Sequence, residues 1–239
     1  MDGWLYDESK HCGVDYSKAE QARAYEERHR KFRDFRKEFD DMMAFLEMSH
    51  PERLSLVDLG CGTGAMAVYA AEVFGQVTGV DISEAMLAQA RAKSGAGVAN
   101  LTFVQGGFLS YTHAGGAADV VTTKAAFHHL PDFWKQVALL RINRMLKPGG
   151  VLYLHDVVFR FEPHVYAEQI HAWVERFGAV AGEALRRDVE AHIRDEFSTF
   201  DWILRGLLER AGLVVEKERS ADGFLCEYAC RKVREIPTA

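Results

Sequence analysis

The sequence predicts an α/β fold: a doubly wound, mostly parallel seven-stranded sheet completed by a C-terminal antiparallel hairpin. Three observations carry this reading. From residue 54 to 159 short apolar runs alternate with helical segments, the rhythm of βαβ units covered on both faces. The first apolar run passes through a glycine-rich loop into a helix, as open α/β sheets do where they bind ligands. Ala221-Asp222-Gly223 is a short turn between the last two strand-like runs, which makes them antiparallel neighbours.

Taken in order, residues 17–46 read as one amphipathic helix. Ser17 with Glu20 forms a capping-box signature, and Phe32, Phe35, Phe39, Met42 and Leu46 step by three and four along one apolar face. The other face holds eight Lys/Arg against seven Asp/Glu over residues 17–41, so a solvated helix with internal ion pairs is expected rather than a nucleic-acid arm. Pro51 ends it. Strands follow at 54–59, 77–80, 101–105, 119–123 and 151–159. Helices lie between them at 64–74, at 84–93 behind a Ser83 cap, and at 132–146 before Lys147-Pro148-Gly149-Gly150. Residues 160–197 interrupt the alternation with a helical stripe of Ile170, Trp173, Val174 and Phe177 and a charged helical stretch. A helix at 199–211 and strands at 213–219 and 224–232 complete the sheet. The chain thus divides into an N-terminal helical lid (1–50), an α/β core (51–159), a helical cap inserted after the fifth strand (160–197), and a closing helix and hairpin (198–239).

Two hundred and thirty-nine residues, 48% hydrophobic and 27% charged, suit one globular α/β domain with a modest appendage. A net charge of −6 offers no global positive field for nucleic acid or an anionic membrane. No apolar stretch approaches the roughly 20 residues needed to span a bilayer, and there is no cationic start followed by an apolar run, so a cytoplasmic location is expected. Four dispersed cysteines make no disulfide framework. Cys226 and Cys230 lie roughly 13 Å apart on a regular strand, too far for a bridge.

The most informative stretch is Val57-Asp58-Leu59-Gly60-Cys61-Gly62-Thr63-Gly64. Glycines there let the backbone turn sharply and a ligand approach it without a Cβ in the way. Asp81 ends the second strand, 21 positions after Gly60, where a carboxylate can accept both hydroxyls of a ribose. Read loosely, Gly60-x-Gly62-x-x-Ala65 also fits an NAD site. Asp58 opposes that reading, because a carboxylate ahead of the loop repels a pyrophosphate but can take up an amino group. The terminal hairpin is likewise foreign to a dinucleotide-binding half.

Over nearly all of residues 50–232 the chain resembles the class I S-adenosylmethionine-dependent methyltransferases. The matching pieces are Val57–Gly64, Gly79-Val80-Asp81-Ile82-Ser83, Asp119-Val120-Val121 with Phe127-His128-His129-Leu130-Pro131-Asp132, and Arg144-Met145-Leu146-Lys147-Pro148-Gly149-Gly150. The resemblance implies S-adenosylmethionine as cofactor, with Gly60, Cys61, Gly62 and Gly64 against its methionine part and ribose and Asp58 toward its amino group. It puts Asp81 on the ribose hydroxyls, Ile82 against the adenine, Gly107 and Phe108 at the adenine edge, and Lys124 near the sulfonium, with Ser83 also among the cofactor-binding residues. Many relatives carry an aspartate at the Gly106–Gly107 position for the adenine amino group; this chain does not, and Ser110 is the nearest substitute. Tyr16, Tyr25, His29 and Phe32 are candidates to close over the cofactor with aromatic faces near the cation, or to pack the helix on the sheet, which suits Phe32 better.

Methyl transfer is an in-line displacement at carbon, so the protein mainly aligns acceptor and methyl group and excludes water; a base is needed only for a protonated acceptor. His128 and His129 after the fourth strand, and His155 with Asp156 at the end of the fifth, are the candidate bases, with local hydrogen bonding as the alternative for each. No ligand spacing such as His-x-x-x-His predicts a metal. The acidic charge and the cap point to a small-molecule acceptor, without nucleic acid or membrane, and the N-terminal helix and cap offer surfaces for a homodimer. An RNA methyltransferase and an NAD-dependent oxidoreductase are the rival readings.

Overall fold

A computed structural model describes residues 3–10, 17–30, 33–95 and 98–237. Five parallel strands come first: β1 (Ser55–Leu59), β2 (Gln76–Asp81), β3 (Leu101–Gln105), β4 (Ala118–Lys124) and β5 (Leu146–Phe159). β6 (Thr199–Phe200) pairs with the far end of β5, then β7 (Leu213–Ala221) and β8 (Leu225–Lys232) follow. The sheet order is β3-β2-β1-β4-β5-β8-β7, with β8 antiparallel to both β5 and β7. The chain therefore leaves β1 in one direction and β4 in the other. Between their carboxyl ends opens the crevice in which such sheets bind ligands.

The two-residue period of the strands sorts their side chains between two cores. Val57, Leu59, Val80, Val121, Leu152 and Leu154 face one, built with α5 (Asp132–Met145) and α8 (Asp201–Arg210). Leu56, Val77, Val120 and Tyr153 face the other, against Phe39 and Met42 of α2 (Phe35–Leu46) and Ala67 and Ala70 of α3 (Ala65–Ala71). The doubly wound reading holds.

Several boundaries differ from the sequence reading. In place of one N-terminal helix the structure describes two, α1 (Ala19–His29) and α2. Asp34 starts the second, its carboxylate accepting the Lys37 N–H at 3.0 Å, a cap signal that the unbroken apolar period concealed. Lys18 rather than Ser17 stands at the cap position of α1. Lys147-Pro148-Gly149-Gly150 is part of β5, in a bulge where the register against β4 slips between Ala118 and Val120. Residues 199–200 form β6, an eighth strand too short to show a period.

The inserted cap is a helix pair, α6 (Tyr166–Ala181) and α7 (Glu183–Asp195), meeting at Gly182, whose φ is +83°. It has its own core: Trp173, Val174 and Val189 close on Phe224, with the Trp173 and Phe224 rings stacked at 4.5 Å. Phe224 leaves a hairpin turn in which Asp222 and Gly223 both take positive φ, the geometry that joins twisted antiparallel strands. Among the described residues no helix is long and apolar enough to cross a membrane.

Candidate functional site

A cavity of about 170 Å³ opens where β1 and β4 end, and the glycine loop forms its floor. The Gly60 and Cys61 N–H groups both donate to the Val80 carbonyl, which ties the loop to β2. Gly60 has φ +75°, and a Cβ on it would lie 2.4 Å from the Ala126 Cβ, so only glycine fits. Gly64 serves packing instead: it precedes α3 with φ +74°, a Cβ there would meet the Ala90 Cβ at 2.7 Å, and it does not line the cavity. The Cys61 thiol is pushed well up by burial, so it is a packed loop side chain and not a nucleophile.

Two acids stand at the loop. The Asp81 carboxylate accepts the Gly62 N–H at 2.7 Å and the Ser83 N–H at 2.8 Å, so the backbone holds it at the end of β2. Ser83 in turn caps α4 (Glu84–Ser94) by accepting the Met86 N–H. Asp58 is buried and accepts the Thr122 hydroxyl at 2.9 Å. Burial raises its pKa to about 6 against that hydrogen bond, and the neighbouring Asp81 charge adds to the rise. With a pKa of about 6 the carboxylate is still mostly ionised at pH 7, which suits a ligand ammonium group and repels a phosphate.

Ile82, Gly107 and Phe108 line the side of the cavity beside Asp81, where Gly106 N–H bonds the Asp81 carbonyl. The Ser110 hydroxyl accepts the Gly107 N–H at 2.9 Å. The space above Gly107 is taken by Glu8, which the sequence reading did not single out. Its carboxylate accepts Ser110 N–H at 2.8 Å and Leu109 N–H at 3.0 Å, and a Cβ on Gly107 would lie 2.4 Å from the Glu8 carboxyl carbon. Glycine at 107 is what admits Glu8. The segment carrying it lies against α5, where Trp4 and Tyr6 meet the Trp134 ring.

The remaining wall comes from the N-terminal helices and the end of β4. Tyr25 and Arg33 both line the cavity, the Arg33 guanidinium donating to the Tyr25 hydroxyl at 3.3 Å and holding Glu38 through two parallel bonds. Glu26 accepts the Thr63 hydroxyl of the glycine loop and pairs with Lys93, so α1 is fastened over the loop. Tyr16 and Phe32 lie outside the described residues. Lys124 lines the cavity and sits 3.3 Å from Glu38 and 2.7 Å from His155 Nδ1. Burial lowers its pKa against the pull of Glu38. His155 stands behind Lys124 and does not itself line the cavity; burial and the Lys124 charge bring it down to about 4, so it accepts from Lys124 as a neutral ring.

His128 and His129 are part of a buried polar cluster at the far end. Asp156 accepts the Phe127 and His128 N–H groups and lies 2.5 Å from His128 Nδ1. His128 Nε2 faces Glu196, at 3.2 Å, and Glu196 pairs with His192 of the cap. Burial would lower the His128 pKa, but Asp156 and then Glu196 outweigh it and raise it. His129, which lines the cavity, is lowered to about 4 by burial and by His128 beside it. Of the two, His129 is the neutral ring that meets the cavity. Among the described residues, none of 160–197 lines this cavity; the cap meets the site from behind His129, through Glu196, His192 and the Phe197 N–H, which donates to the His128 carbonyl at 2.9 Å.

Comparison with known proteins agrees with this geometry. The family model described as "Methyltransferase domain" matches residues 56–150. The chain is 28% identical to a demethylmenaquinone methyltransferase of Staphylococcus aureus over 174 residues, 70% of each chain. Its fold is similar to that of magnesium protoporphyrin IX methyltransferase from Synechocystis PCC 6803, solved with bound SAH. The TM-score is 0.66 at 17% identity, with 91% of this chain and 97% of that one covered. It is also similar to mitomycin 7-O-methyltransferase, with TM-score 0.60 at 20% identity, covering 82% of this chain and 53% of that one.

Proposed function

The chain belongs to the class I S-adenosylmethionine-dependent methyltransferases, and from that premise we propose that it methylates a small molecule. The observation that carries the proposal is the closure of the cavity by the chain's own N-terminal segment. Glu8, Tyr25, Arg33 and Phe35 stand across from the sheet edge, so an acceptor must enter beside them rather than lie across an open face. The net charge of −6 argues the same way against RNA. The demethylmenaquinone, protoporphyrin and mitomycin enzymes are named for small acceptors too, and that supports the class without choosing the compound.

In this reading Asp81 takes the ribose hydroxyls and Asp58 the ammonium group of the cofactor, while Ile82 and Phe108 hold the adenine. Glu8 takes the adenine amino group: its carboxylate already occupies the place a side chain on Gly107 would have, and keeps lone pairs beyond those bonded to Leu109 and Ser110. S-adenosylmethionine supplies the methyl group on a cationic sulfur. The chain's residues orient both reactants, exclude water and, for a hydroxyl acceptor, remove a proton, with the neutral His129 ring at the cavity as the base. The NAD reading is set aside, since the family's cofactor is S-adenosylmethionine.

The test is transfer of labelled methyl from S-adenosylmethionine to a panel of hydroquinones, phenols, carboxylic acids and amines, run beside total tRNA. Label in a small acceptor is the expected result. Label in RNA alone would overturn the proposal.

A further inference from the structure

The cluster behind His129 brings together more than hydrogen bonding requires. His128, His129 and Glu196 each present a ligand atom, and the three atoms lie within 4.8 Å of one another. The distance from His128 Nε2 to Glu196 Oε2 is 3.2 Å. Ligands about 2.0–2.1 Å from a tetrahedral zinc stand roughly 3.4 Å apart, so this pair already spans one edge of such a site.

The surroundings are those of ligands set in advance. Asp156 holds His128 at Nδ1, which fixes the ring and leaves Nε2 to point at Glu196; a carboxylate behind a ligating histidine is the usual orienting arrangement. The same Glu196 oxygen, Oε2, also meets His192 Nδ1, and His192 Nε2 is 2.7 Å from the Ser198 hydroxyl. His129 and Glu196 are 67 positions apart in sequence, which is why no local spacing disclosed the set.

We propose that His128, His129 and Glu196 bind one divalent cation of the zinc class at the wall of the cavity, leaving its fourth position to an acceptor oxygen. Two ligands stand behind the wall and the third, His129, forms part of it, so the open position faces the cavity. An acceptor hydroxyl bound there gives its proton to bulk water. Its oxygen then forms the new O–C bond while the C–S bond breaks, and the electron pair stays on sulfur as a neutral thioether. The acceptor half of the proposal rests on the small-molecule reading above; the metal half stands without it. In the metal-bound protein His129 is a ligand and no longer the base; the cation instead lowers the pKa of the bound acceptor hydroxyl.

The full chain, dialysed against a chelator, is titrated calorimetrically with Zn²⁺. One equivalent per chain is expected, with affinity lowered roughly a hundredfold or more in Glu196→Gln and in His129→Asn, and by about 10–100-fold in Asp156→Asn, which removes only an orienting group. Glu196→Gln is checked by circular dichroism; should it not fold, His129→Asn carries the comparison. Cobalt(II) replaces zinc to report the open position, and its visible bands are expected to shift on addition of azide. No uptake of zinc, uptake indifferent to both substitutions, or uptake of Mg²⁺ in preference to zinc would overturn the metal site. Uptake lost in both variants with cobalt bands unmoved by azide would overturn the open position. Methyl transfer to RNA alone would remove the small-molecule reading while leaving the zinc result standing.

Discussion

Replacing Glu8 tests whether the N-terminal segment is part of the cofactor site. In the structure its carboxylate makes two charge-assisted bonds, to Ser110 N–H at 2.8 Å and Leu109 N–H at 3.0 Å. In the proposed complex a third goes to the adenine amino group. Bonds to charged groups contribute about 1.5–3 kcal/mol each, and this site is half open to water, so the lower end applies. Losing the third bond alone raises the dissociation constant about tenfold, and loosening of the loop at 108–110 adds to that. Glu8→Ala is therefore expected to weaken S-adenosylhomocysteine binding by about 10–30-fold in calorimetry. The decisive comparison is with S-inosylhomocysteine, which has an oxo group in place of the amine. The wild-type chain prefers the amine, and Glu8→Ala loses that preference. Gly107→Asp supplies the second arm. Its Cβ would fall 2.4 Å from the Glu8 carboxyl carbon and bring a like charge, so it damages binding in the wild-type background. In the Glu8→Ala background the same aspartate has room and is expected to restore both affinity and preference. Unchanged affinity and preference in Glu8→Ala would refute the reasoning.

Asp58 sets a pH dependence. Its folded pKa, raised to about 6, lies above the value of about 3.9 for an unfolded chain, so between about pH 4 and 6 the folded protein keeps a proton the unfolded chain has lost. Its contribution to stability therefore falls as pH rises through that window. Cofactor affinity moves the other way, rising about tenfold per unit toward pH 6 and flat above it, because the ammonium group needs the ionised form; titrations from pH 5 to 8 read this, and Asp58→Asn should abolish the step. Gly60→Ala combines a left-handed backbone with a Cβ 2.4 Å from that of Ala126, and a loss of about 2–4 kcal/mol is expected in denaturant melts. A wild-type midpoint in that variant would mean that the loop is not built as described. Trp173→Ala removes the ring stacked on Phe224 and should cost about 3–5 kcal/mol, seen as faster hydrogen exchange across residues 160–197. Cofactor affinity should be unaffected, since the cap does not line the cavity.

What was legible in the sequence was what depends on neighbours along the chain. The β1 loop, the Asp81 carboxylate and the terminal hairpin all rest on local periods and turn residues, and each stands where it was expected. The break at Asp34 was hidden because the apolar positions on either side of it keep helical spacing, while the cap itself needs only one side chain. Glu8, Glu38 and Glu196 were illegible for a different reason. Each is an ordinary acid among 35 Asp and Glu; Glu38 and Glu196 have near partners in Arg33 and His192, but the groups that tie the three acids to the site lie far away in sequence: Leu109, Lys124 and His128. The Gly106–Gly107 position did carry a signal, glycine where the resemblance implies an aspartate in many relatives. It reported a missing group but held no information about which segment replaces it.

That replacement changes how the first fifty residues are understood. At the site that segment sets charged groups among its apolar ones: beside Tyr25 and Phe35 stand Glu8 at the 108–110 backbone, Glu26 at Thr63 and Lys93, and Arg33 and Glu38 beside Lys124. These pairs are largely withdrawn from water, the Arg33, Glu38 and Lys124 side chains being 17%, 20% and 13% exposed, so the attraction of each pair is set against the cost of taking its charges out of water. We propose that ligand groups complete these polar contacts, so that release of S-adenosylhomocysteine after each turnover loosens the segment again.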